Sequence, residues 1–215
     1  MDTLNYIINK YQLQIHRRLI VEIPNMGRQN LAELFAELKF KTGAEIGVET
    51  GVYSEALLKA NPNLHLFCID PWKVSVYEPD IQNVNYEQQH HNNCLKEARI
   101  RLAPLNCKII RKKSLDAVRD FPDNSLDFVY IDANHDFVNV TNDIHYWSKK
   151  VRSGGIVSGH DYVYFPSAKK NHVKFVVIAY TRAYRINPLF IVGAEAVRQP
   201  GIIRDHYRSW FWVKT

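Results

Sequence analysis

The chain has 215 residues, a formal net charge of +6, 46% hydrophobic and 23% charged residues. That is the profile of an ordinary globular chain of about one domain, long enough to bury a full core without staples, and it excludes a low-complexity or fibrous protein. No apolar run reaches the roughly 18 residues that span a bilayer, residues 1–5 lack the basic and apolar regions of a signal peptide, and Cys68, Cys94 and Cys107 lack zinc-ligand spacing, so the expectation is a reduced, cytoplasmic protein without a membrane partner.

The first 27 residues read as an N-terminal extension. Leu4, Ile7, Ile8 and Tyr11 have helical spacing, and 18–23 suits a short strand before Pro24. Residues 28–40 form an amphipathic helix with Leu31, Leu34, Phe35 and Leu38 on one face, which Gly43 is expected to end. Short apolar runs then alternate with helical patterns. The strands are 44–48, 64–69, 108–110, 128–131 and 155–158; the helices are 54–60, 86–102, 114–120 and 138–150. Strands separated by helices imply a parallel sheet covered on both faces. A helix over 173–184 precedes two runs, 189–192 and 209–213, with no helix between them, so these must pair antiparallel. The expectation is a Rossmann-like three-layer α/β sandwich. It has a mostly parallel, seven-stranded sheet with an antiparallel C-terminal hairpin strand, spans 28–215, and carries an insertion at 72–103.

In such sheets ligands sit outside the carboxyl ends of the strands. The run from Ala44 to Gly51, with Glu45, Gly47, Glu49 and Gly51, joins a strand to a helix, and the next strand ends in Asp70. Strand, glycine turn, helix, strand, acid is an arrangement that binds the adenosine part of a cofactor, with the Asp70 carboxylate accepting from ribose hydroxyls. A nicotinamide-type turn would carry G-x-G-x-x-G for a pyrophosphate. Here two glycines are flanked by acids, which repel phosphate and suit a cofactor with a cationic end: S-adenosylmethionine.

Two polar clusters follow buried runs. Asp132-Ala133-Asn134-His135 ends one strand and Gly159-His160-Asp161-Tyr162 ends another. If the strands are close, Asp132, His135, His160 and Asp161 converge. The catalytic expectation is His160, or His135, as general base, oriented by Asp161 or Asp132. Tyr77, Tyr86 and Trp72 in the insertion can serve as lid or substrate contacts. His90 and His91 are adjacent on a helix, point to different faces, and read as surface residues.

These segments (45–51, 68–72, 127–137 and 154–162) resemble the class I S-adenosylmethionine-dependent methyltransferases, and in particular small O-methyltransferase-like proteins with an acid-x-x-His motif and a later Gly-His-Asp-Tyr. The resemblance covers about residues 25–215. It implies that Gly47 and Gly51 border the methionine moiety, that Asp70 holds the ribose, and that Ser114 and Leu115 lie against the adenine. It places Asp132 at the amino-acid end or the reaction centre, and Trp72 over the adenine or in the core. Related enzymes place a magnesium-type ion after the fourth and fifth strands, where this chain has Asp132, His160 and Asp161. The imidazole departs from an all-oxygen set and argues against magnesium. The implied reaction is methylation of a small-molecule hydroxyl, of sugar or secondary-metabolite type. The alternatives are a nucleic-acid methyltransferase and a non-catalytic cofactor-binding module. The scattered basic pairs (Arg17-Arg18, Lys149-Lys150, Lys169-Lys170) form no stripe, and Asp132-Ala133-Asn134-His135 stands where base-amine enzymes carry Asn/Asp-Pro-Pro-aromatic, so both observations argue against nucleic acid. The N-terminal apolar helix pattern leaves a homo-oligomer open.

Overall fold

A computed structural model describes residues 2–15, 19–74, 87–164, 171–194, 201, 203 and 207–215. Tyr77, Tyr86 and most of the expected lid, together with Arg17-Arg18 and Lys169-Lys170, fall outside the described residues. In chain order the elements are α1 (Thr3–Tyr11), β1 (Ile20–Ile23), α2 (Arg28–Glu37), β2 (Thr42–Ile46), α3 (Val52–Ala60), β3 (His65–Ile69), α4 (Gln88–Leu102) and β4 (Cys107–Ile110). Then come α5 (Ser114–Ala117) with a 3₁₀ turn (Val118–Asp120), β5 (Leu126–Ile131), α6 (Phe137–Lys150), β6 (Val151–Gly159), α7 (Val173–Ala183), β7 (Leu189–Val192) and β8 (Trp210–Val213).

All described strands belong to one sheet in the order β1-β7-β8-β6-β5-β2-β3-β4. β8 runs antiparallel to both of its neighbours, and every other pairing is parallel. The expected hairpin pairing of 189–192 with 209–213 is therefore present. The sheet has eight strands rather than seven, because residues 20–23 of the N-terminal segment form an edge strand beside β7. Chain order reverses between β2 and β5, which places the crevice at their carboxyl ends.

Two apolar layers flank the sheet. On one face α2, α3 and α4 pack Leu31, Leu34, Phe35, Leu57, Leu95 and Ala98 on Phe128 and Tyr130. Phe35 stacks on Phe128 with ring centroids 4.1 Å apart. On the other, α6 and α7 bury Val140, Ile144, Trp147, Val173, Val176 and Val177 on Ile46, Val129 and Val157. The i, i+3, i+4 spacing of these residues is what turns each helix toward the sheet, and truncating one such leucine to alanine costs about 2–5 kcal/mol.

One boundary differs from the reading above. α2 stops at Glu37, and Lys39 takes the left-handed conformation (φ 57°) that reverses the chain. Gly43 lies inside β2, where an added Cβ would strike the Phe128 ring at 2.2 Å. The glycine serves sheet-to-helix packing and not a cap.

Candidate active site

The strand ends open on a cavity of about 510 Å³ lined by, among others, Gly47, Asp70, Ser114, Asp132, His135 and Asp161. Backbone geometry builds its first wall. Gly47 has φ +89°, and a Cβ there would meet the Asp132 carbonyl oxygen at 2.0 Å, so the turn after β2 can approach the end of β5 this closely only without a side chain. Gly51 (φ +77°) starts α3. The Asp70 carboxylate holds the turn in place: Oδ2 accepts from the Val48 and Glu49 amides, each at 3.0 Å, and Oδ1 from the Trp72 amide at 2.7 Å. Each oxygen keeps acceptor capacity for a further donor. Trp72 is buried, its indole N–H donates to the Glu49 carbonyl at 2.8 Å, and it lines the same cavity.

Further along, Ser114 and Leu115 line the cavity from the start of α5. The Ser114 hydroxyl donates to the buried Asp143 of α6 and accepts from the Trp147 indole at 2.8 Å. Burial raises the Asp143 carboxyl to about 7 despite the Ser114 bond. Glu45, on β2, is buried and hydrogen-bonded by the Ser54 hydroxyl. Burial pushes its carboxyl up to about 8, against the pull of Ser54 and Arg28. Burial thus favours the protonated form of this carboxyl near pH 7, with the Ser54 hydroxyl donating to it.

The opposite wall is a network of side chains. Arg28, the first residue of α2, donates to Asp132 Oδ2 at 2.6 Å. Its guanidinium lies 4.0 Å from the centre of the Tyr53 ring and 5.1 Å from that of Tyr130. Asp161, with φ +59°, holds His135 Nε2 at 2.9 Å. His160 Nδ1 stands 3.5 Å from Asp161 Oδ2 and 3.7 Å from Asp132 Oδ1. Burial alone would raise the Asp161 carboxyl, but hydrogen bonds from His135 and His160 overcome it and hold the group well below the usual carboxylate range. At Asp132 burial dominates and raises the carboxyl against the opposing charges of Arg28 and His160. The four groups expected to converge are thus together. His135 lines the cavity, whereas His160 is not among its described lining residues.

The loop carrying His135 is fastened at both ends. Asp136 caps α6 by accepting from the Val138 and Asn139 amides at 2.9 and 3.0 Å. His172 accepts from the Phe137 amide through Nδ1 at 2.9 Å, and its own amide donates to the His135 carbonyl at 2.8 Å. Sequence reading missed Arg28, Asp143 and His172. Arg28 reaches Asp132 across 104 residues, and nothing in its local pattern separates it from a solvated helix start.

The residues that could hold one cation here are Asp132, His135 and Asp161, whose ligand atoms lie within 4.8 Å of one another. The set does not fit a magnesium-type ion. One of three donors is an imidazole, Asp132 Oδ2 is bound by a guanidinium, and Asp161 Oδ2 by His135. The same atoms do fit a proton relay.

Residues 44–162, more than half of the chain, match a family described as a methyltransferase domain. No curated protein matches the sequence. Among solved structures, the O-methyltransferase from Bacillus cereus in complex with S-adenosylhomocysteine superposes with a TM-score of 0.59 at 14% identity, covering 99% of this chain and 87% of that one. The O-methyltransferase TomG from Streptomyces achromogenes, involved in tomaymycin synthesis and solved with S-adenosylmethionine, gives a TM-score of 0.59 at 18% identity, covering 100% and 91%. A precorrin-6y C5,15-methyltransferase from Geobacter metallireducens gives 0.59 at 12% identity, covering 87% of each chain. At these identities the structural likeness establishes the fold. The family match, which spans the glycine turn, Asp70, Asp132, His135 and Asp161, establishes more: the chain belongs to the methyltransferase family.

Proposed function

We propose that this enzyme transfers a methyl group from S-adenosylmethionine to the hydroxyl of a small molecule of sugar or secondary-metabolite type, with His135 as the general base. The observation that carries the reading is the His135–Asp161 pair, 2.9 Å apart, on the wall of the cavity that also contains Gly47 and Asp70. The cofactor supplies an electrophilic methyl group on a sulfonium. What the protein must add is position and proton management.

The residues fit the cofactor. The side-chain-free turn at Gly47 gives a bound molecule close access to backbone, and Asp70, with Oδ1 and Oδ2 fixed by three amides, offers acceptor capacity to ribose hydroxyls. Trp72, Ser114 and Leu115 line the part of the cavity suited to the adenine, and the buried Ser114–Asp143 pair adds a polar edge. Asp132 lies toward the amino-acid end, with Arg28 beside it.

At the acceptor end the Asp161 carboxylate accepts from His135 Nε2, which fixes the proton on that nitrogen and makes Nδ1 the basic one. His135 takes the hydroxyl proton as the new C–O bond forms, and the ionised Asp161 stabilises the imidazolium that results. His160 supports Asp161 and Asp132 from the side. This assignment prefers His135 to His160 because His135 lines the cavity. Among the described residues the carboxylates act here on imidazole and guanidinium, which provides a proton path through side chains.

The test is turnover of methyl-labelled cofactor against a panel of hydroxylated acceptors, beside calorimetric titration with S-adenosylmethionine. His135→Ala should lower turnover about 10²–10⁴-fold with cofactor affinity nearly unchanged. His160→Ala should cost less, and Asp70→Ala should abolish cofactor binding. Full turnover by His135→Ala would remove the base, and tight cofactor binding by Asp70→Ala would remove the ribose contact.

A further inference from the structure

A second group of potential ligands lies on the α4 side of the cavity, away from the proton relay. Glu49, His90 and Cys94 each offer one donor atom, and these atoms lie within 4.8 Å of one another. His90 and Cys94 are four residues apart on α4, so they share a face, and His90 Nε2 is 3.4 Å from Cys94 Sγ. Glu49 arrives from the turn after β2, with its backbone held on both sides: its amide donates to Asp70 Oδ2 at 3.0 Å and its carbonyl accepts from the Trp72 indole at 2.8 Å. A left-handed conformation, φ 51°, keeps it there. The carboxylate is therefore delivered from a hydrogen-bonded turn toward the face of α4 that carries His90 and Cys94.

We propose that Glu49, His90 and Cys94 form a binding site for a soft divalent cation of the zinc class, with the fourth coordination position open to the cavity. Size and chemistry both favour this ion. Zinc binds imidazole nitrogen at about 2.0–2.1 Å and thiolate sulfur at about 2.3 Å, so a tetrahedral centre sets the two donors about 3.5 Å apart. The His90–Cys94 separation already has that length. One sulfur, one nitrogen and one oxygen donor suit zinc and its neighbours, whereas magnesium and calcium prefer oxygen alone. Three protein ligands leave a position for water or another small donor, as in open zinc sites. His91 is not in this group; the other two donors come from the next turn of α4 and from the turn after β2. The opposite cluster, Asp132, His135 and Asp161, contains no sulfur, so the two sites have different spectroscopic signatures.

The experiment is titration of the full chain with Co²⁺, followed by the thiolate-to-cobalt charge-transfer absorption and by displacement with Zn²⁺. One ion per chain should bind with that band, and Zn²⁺ should displace it. Cys94→Ser should abolish the band. His90→Ala and Glu49→Gln should each weaken binding about tenfold or more, and Cys107→Ser should leave it unchanged. A missing band with folded protein at millimolar cobalt would overturn the site, as would a band that survives Cys94→Ser or disappears in Cys107→Ser. His90 is only half-buried and Glu49 exposed, so should Cys94→Ser fail to fold, unchanged affinity in His90→Ala and Glu49→Gln would overturn it equally.

Discussion

The two walls of the cleft are held by different means. On the cofactor wall Asp70 ties the turns together through three backbone amides, and the approach of β2 to β5 depends on the missing Cβ of Gly47. On the acceptor wall Arg28, Asp132, His160, Asp161 and His135 lean on one another through side chains alone. The first wall fails when space is taken from it or when its one tying carboxylate is lost. A side-chain network fails when any one member is truncated, because the neighbour is left buried with its charge unanswered.

Filling the space is the largest perturbation. Gly47→Ala puts a methyl group 2.0 Å from the Asp132 carbonyl oxygen in a left-handed backbone. Overpacking and the φ penalty together should cost about 2–5 kcal/mol and separate the two strand ends that shape the site. Thermal unfolding with and without S-adenosylmethionine reads both: the melting temperature should fall, and the shift produced by the cofactor should vanish. A wild-type cofactor shift would show that the turn is not the cofactor wall.

Arg28→Ala tests the other wall. Arg28 and Asp132 keep 30% and 20% of their side-chain exposure, so the loss should fall somewhat below that of a fully buried pair, at roughly 2–3 kcal/mol. Denaturant unfolding measures it. Arg28→Lys should recover only part, because an ammonium can restore the bond to Asp132 but not the contact of the planar guanidinium with the Tyr53 and Tyr130 rings. Asp132→Asn in the Arg28→Ala background should restore stability, since the unanswered charge is gone.

The same contrast explains what was legible in the sequence. Gly47, Gly51 and Asp70 sit at fixed offsets along consecutive elements, and spacing of that kind survives in one dimension. So did the alternation of strands and helices, and the ends of β5 and β6 that carry Asp132, His135 and Asp161. Arg28 and Asp143 were not legible. Arg28 meets Asp132 only because α2 packs against the crevice, and Asp143 meets Ser114 only because α5 and α6 pack side by side. Glu45 was visible as an acid, but its complete burial between β2 and α3, which outweighs the bond from Ser54, decides its charge, and no spacing rule announces it. Gly43 misled for the opposite reason: glycine after a helical pattern reads as a cap, and here it makes room for Phe128.

Glu45 tests protonation at the floor between the two walls. Its carboxyl is raised by burial to about 8, and that of Asp143 to about 7. A carboxyl whose folded-state pKa lies above its unfolded value binds more protons folded than unfolded between the two. Its contribution to stability is complete below the unfolded pKa and is lost as pH rises through the folded one. For Glu45 that window runs from its ordinary value of 4.5 to about 8, and for Asp143 from 3.8 to about 7. Each group costs at most about 1.4 kcal/mol per pH unit within its window. Above pH 7 only Glu45 of the two still releases its proton. Glu45→Gln keeps the shape and a neutral partner for Ser54 while removing the proton. Denaturant unfolding across pH 5 to 9 should therefore show a shallower decline for the variant up to about pH 8, where the difference between the two proteins is complete. Parallel profiles for the two proteins would mean that Glu45 is ionised in the fold and that the floor of the cleft carries a negative charge.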